Sequence, residues 1–154
     1  MEVELRKKSA VRKKIRLEDY NYSNVGMYFI TICTKNRYPI LGKINECDIE
    51  LTKDGVISKK NLKNIEYVFN NISINEYIIM PNHIHMIIEI KEEQEEVSIN
   101  KIIKKFKSSV SRELGYSIWQ KSYYDHIIRN EKEFYDIKQY IQNNVINWKN
   151  DKYL

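Results

Sequence analysis

The sequence predicts an α+β protein built on one antiparallel sheet. Short runs rich in β-branched and aromatic residues alternate with longer segments whose apolar residues recur at helical spacing. Residues that cap helices stand at the expected ends of the longer segments. The segments follow one another as strand, helix, strand, strand, helix, strand and helix. This order is the ferredoxin-like βαββαβ arrangement with an appended C-terminal helix.

The first half of the chain predicts a core strand, a short paired segment and a helix. β-branched and aromatic residues fill 26–34, which is typical of a buried strand. The segment 49–51 is predicted to pair briefly. Thr52 then offers an N-terminal cap for a helix that continues to about Phe69.

The second half predicts two adjacent strands, a helix, a strand and a final helix. The apolar runs 76–80 and 83–88 are separated by turn residues and are predicted to pair. The segment 98–115 begins with a capping serine and ends with a glycine, as a helix does. An alternating strand over 122–129 and a helix over about 131–144 complete the chain.

The composition indicates one domain with a basic arm before it. The chain has 154 residues and a formal net charge of +5, so we expect an arm over 1–20 and a single domain over 21–154. Positive residues crowd the arm, and we expect contacts with a polyanion from Arg12, Lys13, Lys14 and Arg16. A solvated, disordered tail is the alternative interpretation of this arm.

The sequence offers no sign of a membrane or an oxidising compartment. No apolar run approaches the roughly 20 residues of a membrane span, and the first residues lack a secretory signal. Cys33 and Cys47 form neither a zinc knuckle nor a disulfide framework. We therefore expect a cytoplasmic protein without a membrane partner.

Two histidines form the most informative pair in the chain. His83 and His85 lie two residues apart in a predicted strand, so both imidazoles project from the same face. They are two of three histidines in the sequence and stand among apolar residues, where a polar side chain needs a partner. The pair is half of a metal site, or else two hydrogen-bonded structural histidines.

The last predicted helix combines an apolar stripe with a polar row. The stripe consists of Phe134, Ile137 and Ile141, which we expect to pack on the sheet. Beside it, the polar row consists of Asp136, Tyr140 and Asn144. A tyrosine and an amide oxygen would then approach the face that carries the histidines. Helical spacing alone, however, favours Tyr140 as a rim residue that extends the apolar stripe.

Two imidazoles, one amide oxygen and a phenol suit the breaking of a phosphodiester bond. A divalent ion held by the first three leaves positions open for a phosphate and offsets the charge that develops on it. The free phenol of tyrosine has a pKa of about 10, and a nearby cation favours the more nucleophilic phenolate.

Four blocks of sequence, in the same order, resemble the single-tyrosine HUH transposases and most closely their REP-associated branch. These blocks are 26–37, 76–85, 118–131 and 140–144. The resemblance implies an enzyme that nicks single-stranded, hairpin-containing DNA and transfers the strand. It also implies a monomer or a homodimer, because relatives of both kinds occur.

The resemblance assigns roles to particular residues. His83 and His85 match the metal-binding histidines, and Asn144 matches the residue that completes the site for Mg²⁺ or Mn²⁺. Tyr140 matches the nucleophile that attacks the scissile phosphate and leaves a 5′-phosphotyrosine and a 3′-hydroxyl. One departure is Val145, where many relatives have a proline that would stop the helix, so we expect the helix to be able to continue toward Trp148.

Further basic residues are candidates for phosphate contacts or simply for a solvated surface. They are Lys104, Lys105, Arg112 and Arg129. His126 lies in the third block, and we interpret it as a structural histidine on the last strand.

Three other interpretations compete with a nicking enzyme. A histidine-triad nucleotide hydrolase needs a third alternating histidine where this chain has Ile87. A non-catalytic ferredoxin-like nucleic-acid binding module would stack bases on Tyr28 and Phe29 of the first strand. A domesticated, inactive transposase would share the fold, and the joint presence of the four site residues favours catalysis over it.

Overall fold

In the computed structural model, residues 24–148 are described, and they form strands and helices in the predicted order. The strands are β1 (Gly26–Cys33), β2 (Gly42–Asn45), β3 (Asp48–Leu51), β4 (Ile72–Met80), β5 (His83–Ile90) and β6 (Tyr124–Ile128). The helices are α1 (Lys53–Val68), α2 (Ile99–Leu114) and α3 (Glu131–Gln142), and one 3₁₀ turn covers Lys35–Arg37.

Four long strands form an antiparallel sheet in the order β4-β5-β1-β6. The central pair is β1 and β5, and their register places Thr31 opposite His85 and Cys33 opposite His83. The strand that carries the histidines is therefore central, as predicted. The α+β fold class with an antiparallel sheet, the ferredoxin-like core and the extra C-terminal helix is confirmed.

The sheet is covered on both faces because alternate residues of β1 and β5 are apolar on each side. One face packs against α1 and α2 and contains the larger core, with Tyr28, Ile84, Met86 and Phe106 fully buried. The opposite face packs against α3 through a smaller cluster. That cluster consists of Phe29, Ile87, Ile128, Ile137 and Ile141.

Side-chain caps fix where the helices begin, and a glycine fixes where α2 ends. Thr52 Oγ1 accepts from the Gly55 amide at 3.2 Å, and Ser98 Oγ accepts from the Lys101 amide at 3.2 Å. Gly115 ends α2 with a φ of +88°, in the left-handed region that favours glycine. The predicted helix boundaries around α1 and α2 hold to within a residue or two.

The structure differs from the sequence prediction in two strand segments whose residues show no clear alternation of polar and apolar side chains. Strand β4 begins at Ile72, four residues before the predicted start, and a register shift lies between Ile74 and Glu76. Strand β2 was not predicted and forms a small hairpin with β3. These segments are partly exposed and mix polar with apolar residues, so cross-strand pairing rather than periodicity defines them.

Part of the sequence prediction lies outside the described residues. The basic arm, with Arg12, Lys13, Lys14 and Arg16, belongs to the first 23 positions and receives no structural description. Within 24–148, none of the helices has the length and apolar character needed to cross a membrane.

Gly55 provides a test of how α1 is seated. A Cβ at this position would lie 2.0 Å from the Leu41 carbonyl oxygen. In a helix, Gly→Ala is ordinarily stabilising, but here the backbone contact should reverse the sign. We expect Gly55→Ala to lower the free energy of unfolding by about 1–3 kcal/mol, measured by urea denaturation. Lys59→Ala, on the exposed part of the same helix, should change it little, and an unchanged or higher midpoint for Gly55→Ala would contradict the contact.

Candidate metal and nucleophile site

Both histidines of β5 lie on the sheet face that α3 covers. The side chains of His83 and His85 are fully buried, and their ring centroids are 4.6 Å apart. They share this face with Phe29 and Ile87, because all four positions have the same parity in the paired register. The same-face placement predicted from the two-residue spacing is therefore observed.

Neighbouring side chains orient the two rings through their Nδ1 atoms. His83 Nδ1 lies 2.7 Å from Asn82 Oδ1, and because that oxygen can only accept, the ring nitrogen carries the proton. His85 Nδ1 lies 2.8 Å from the Thr31 hydroxyl, which can accept in the same way. With Nδ1 protonated, Nε2 holds the lone pair that a metal ligand needs. The Nε2 atoms of both rings are buried.

Asn144 lies just beyond the end of α3. The helix ends at Gln142, and the Asn144 amide donates to the Ile141 carbonyl at 3.1 Å in the following turn. The side chain is buried, and its Oδ1 atom accepts no hydrogen bond from any described residue. Burying an amide oxygen without a donor or a cation is costly, so this atom fits a ligand position.

Aromatic residues on either side of Asn144 contact the histidine rings. The Tyr140 ring lies 5.4 Å from His85 and meets Phe29 edge-on at 6.2 Å, centroid to centroid. The Trp148 ring is nearly parallel to His83, with a tilt of 15° and a centroid distance of 6.4 Å. The segment that carries Asn144 therefore passes over the histidine pair. The expectation that Val145 lets the helix continue toward Trp148 is wrong, because α3 ends at Gln142 and turns connect it to Trp148.

The donor set at this place is two imidazoles and one amide oxygen. Within 24–148 there is no group of three or more His, Cys, Asp or Glu side chains that could hold a metal, and the Asn144 amide is the further oxygen ligand that the sequence predicts for the histidine pair. Imidazole and carbonyl ligands together suit several divalent ions and leave open positions when the set is three. The residues present therefore fit the metal that the resemblance implies.

The other predicted site residues do not join this group. Asp136 accepts from Lys132 at 2.8 Å on the exposed side of α3. Lys104, Lys105 and Arg112 are exposed on α2, which covers the opposite face of the sheet, and Arg129 is exposed where β6 ends. Any role of these cations lies away from the histidine pair.

His126 connects the last strand to α3. Its Nε2 atom lies 2.6 Å from Glu133 Oε2, and Glu133 Oε1 accepts from the Arg129 amide at 2.7 Å. Asn130 caps the helix by accepting from the Glu133 amide at 2.8 Å. The structure thus places His126 in a structural pair, in agreement with the sequence interpretation, and this pair holds the first turn of the helix that carries Tyr140.

These observations define a class of protein: a ferredoxin-like domain whose central strand carries two histidines beneath a tyrosine-bearing C-terminal helix. Residues 22–144 match the family model described as "Transposase IS200 like", and the chain belongs to this family.

Three other proteins are similar to this chain. An uncharacterised protein of Haemophilus influenzae is 37% identical, and the match covers 92% of each chain. The structure of a REP-associated tyrosine transposase bound to a REP hairpin has a TM-score of 0.69 at 21% identity, covering 86% of this chain and 73% of that one. A protein of Deinococcus radiodurans R1, provisionally described as a transposase, has a TM-score of 0.52 at 20% identity, with 83% and 95% covered. The two structural likenesses establish the fold.

The pair between His126 and Glu133 predicts a pH dependence of stability. Partial burial is the largest single influence on Glu133 and would raise its pKa, but the hydrogen bonds from the Arg129 amide and from His126 outweigh it, so the pKa is lowered. A carboxyl with a lowered pKa stabilises the fold above its unfolded pKa of about 4.3. That stabilisation is lost as the pH falls through the folded value.

We therefore expect the stability advantage of the wild type over Glu133→Gln to be full at pH 6 and to shrink below about pH 4. Thermal unfolding midpoints measured between pH 3 and 7 test this. Glu131→Gln removes the same charge from the same helix turn at an exposed position and should show a smaller, flatter difference. Equal pH profiles for the two variants would rule out the proposed role of the pair.

Proposed function

We propose that the protein is a metal-dependent enzyme that nicks single-stranded DNA and transfers the strand through a 5′-phosphotyrosine. Membership of the IS200-like transposase family supports a transposase-like, DNA-processing function. The observation that carries the finer proposal is the position of the Tyr140 ring, 5.4 Å from His85 and four residues before Asn144, whose side-chain oxygen is buried. A potential nucleophile and a potential set of metal ligands thus converge within one chain.

His83, His85 and Asn144 are the residues that would hold Mg²⁺ or Mn²⁺. An ion bound there would polarise a scissile phosphate and favour the phenolate form of a nearby tyrosine. The Asn82 and Thr31 side chains orient the imidazoles, which raises their quality as ligands. The apolar cluster beneath α3 excludes water from one side of the group.

Tyr140 is the proposed nucleophile. Its phenolic oxygen would attack phosphorus in line, forming a Tyr–O–P bond to the 5′ side while the P–O3′ bond breaks. The proton of the phenol leaves to solvent, and the departing 3′-oxygen takes up a proton to become a hydroxyl. Attack by another 3′-hydroxyl on the phosphotyrosine would restore a phosphodiester and regenerate Tyr140, which completes strand transfer.

The proposed substrate is single-stranded DNA that contains a hairpin. The support is a structural neighbour whose complex contains a REP hairpin and the net charge of +5, which favours a polyanion. The basic arm, with Arg12, Lys13, Lys14 and Arg16, would add phosphate contacts. Tyr140 lies beside His85 of the same chain, and the proposal is compatible with a monomer and with a homodimer.

A non-catalytic binding module is the second candidate, and the burial of the first strand weighs against it. Tyr28 and Phe29, its proposed stacking residues, are 0% and 1% exposed. Bases cannot stack on rings that lie inside the two cores. An inactive, domesticated relative would share the fold. Formation of a covalent protein–DNA intermediate therefore distinguishes an active enzyme from an inactive relative.

We expect Tyr140→Phe to abolish a covalent protein–DNA adduct. Wild-type protein incubated with labelled hairpin oligonucleotides and Mn²⁺ should give a slow band on a denaturing gel, which a chelator prevents. Tyr135→Phe removes a hydroxyl from an exposed position of the same helix and should leave the adduct unchanged. An adduct that survives in Tyr140→Phe would assign the attack to another tyrosine.

We expect Asn144→Ala to weaken Mn²⁺ binding by at least about tenfold, because the variant removes an oxygen ligand. Titration calorimetry or the electron paramagnetic resonance of Mn²⁺ measures this without any DNA. The matched control is Asn143→Ala, the neighbouring amide, whose backbone caps α3. Equal affinities for the two variants would remove Asn144 from the proposed ligands.

A further inference from the structure

A basic cleft lies between α2 and the loop that precedes β6, away from the histidine pair. Its volume is about 670 Å³, and a smaller depression of about 400 Å³ shares several of its lining residues. One wall is a single face of α2, where Lys104, Lys107, Ser108 and Ser111 recur at helical spacing. We call this feature the α2 cleft.

All charged side chains among the residues that line the α2 cleft are positive. Its lining includes the lysines Lys35, Lys104, Lys107 and Lys121, together with several hydroxyl and amide side chains. Among the described residues that line the cleft and the adjoining depression, none is a carboxylate. Such a surface attracts phosphates.

Internal hydrogen bonds hold the wall opposite α2 in place. Lys107 Nζ donates to the carbonyls of Gln120 at 2.9 Å, Lys121 at 3.3 Å and Ser122 at 3.1 Å. The Gln120 amide in turn donates to the Cys33 carbonyl at 2.9 Å. Lys107 is therefore a structural clamp, while Lys35, Lys104 and Lys121 are exposed and available to a ligand.

The aromatic residues of the α2 cleft are unsuited to stacking bases. Trp119 and Tyr123 are 4% and 5% exposed, so neither presents an open ring face. Trp119 Nε1 is a buried donor to which no described residue supplies an acceptor. Cations and hydroxyls without a stacking platform favour contacts with the sugar–phosphate backbone over the reading of unpaired bases.

The α2 cleft is connected to the candidate site through the end of β1. Thr34 bridges to Trp119, and the Lys35 amide donates to the Ile118 carbonyl at 2.9 Å. One residue earlier, Cys33 is the register partner of His83. Nucleic acid that leaves the histidine pair around this end of the sheet would reach the α2 cleft next.

We propose that the α2 cleft binds the phosphate backbone of the duplex stem of the DNA hairpin. The inference rests on the proposed DNA substrate and adds the surface that holds the paired part. Lys35, Lys104 and Lys121 would neutralise stem phosphates, whereas Tyr140 acts on the unpaired strand beside the stem. Of the four basic residues predicted for α2 and its surroundings, this assigns a role to Lys104 and none to Lys105, Arg112 or Arg129.

The test compares binding of a hairpin with binding of an oligonucleotide of equal length that cannot pair. All proteins carry Tyr140→Phe, so that binding is measured without cleavage. The test variant is Lys104→Gln/Lys121→Gln. The control, Lys59→Gln/Lys63→Gln, makes the same charge change on exposed positions of α1 that do not line the α2 cleft. Circular dichroism checks that each variant is folded.

We expect the test variant to lose about tenfold or more in hairpin affinity at low salt, and the slope of log affinity against log salt to fall by about two, one for each lost phosphate contact. The control should lose far less. Equal effects of the two variants, or an equal loss for the oligonucleotide that cannot pair, would overturn the assignment. This experiment measures binding and needs no covalent adduct. Its result can therefore contradict the proposed role of the α2 cleft independently of whether the protein nicks DNA.

Discussion

The rest of the structure depends on the alternation of side chains along β5. Ile84, Met86 and Ile88 point into the larger core, which forces His83 and His85 onto the opposite face. Because β5 is central and covered on both sides, these imidazoles are buried and require polar partners. Asn82 and Thr31 supply them at Nδ1, and the proposed metal would be bound through Nε2. A shift of one residue in register would exchange the histidines with core isoleucines, so the fold and the site are specified by the same pairing.

The second constraint is the packing of α3 on the sheet. Its apolar residues, Ile137 and Ile141, pack on Phe29 and Ile87, while the pair of His126 and Glu133 and the cap from Asn130 hold its first turn. This packing determines the position of Tyr140, which is half-buried at the edge of the apolar cluster and lies beside His85. Tyr140 thus lies at the rim of the apolar cluster and also next to the histidine pair, so the two alternatives that the sequence left open do not exclude each other. A tyrosine can serve both because its ring is apolar and its hydroxyl is polar.

The two proposed binding functions lie on opposite faces of the sheet and meet at the end of β1. The histidine pair is under α3, whereas the α2 cleft is bordered by α2 and the loop before β6. The 3₁₀ turn that follows β1 holds Asn36 and Arg37 at φ of 52° and 56°, a conformation that residues other than glycine adopt at a cost and often near functional sites. This turn also carries Lys35, one of the cleft lysines. The proposed surface for backbone phosphates is therefore separate from the proposed site of chemistry, an arrangement that suits a hairpin with an unpaired strand beside it.

Local patterns in the sequence determined the order of elements, the caps at Thr52 and Ser98, the end of α2 at Gly115 and the shared face of His83 and His85. These features depend on residues within a turn or a strand of one another, so periodicity and capping chemistry are sufficient to predict them. The sequence could not reveal the β2–β3 hairpin, the early start of β4, the stacking of Trp148 on His83 or the α2 cleft. The first two are partly exposed strand segments that mix polar with apolar residues, so cross-strand pairing rather than periodicity defines them. The last two bring together residues that are far apart in the chain, and their proximity is decided by the packing of helices and loops on the sheet. The candidate site depends on both the local sequence and the tertiary packing. The spacing of its two histidines predicts their shared face, whereas their contact with Tyr140 exists because α3 packs over β5.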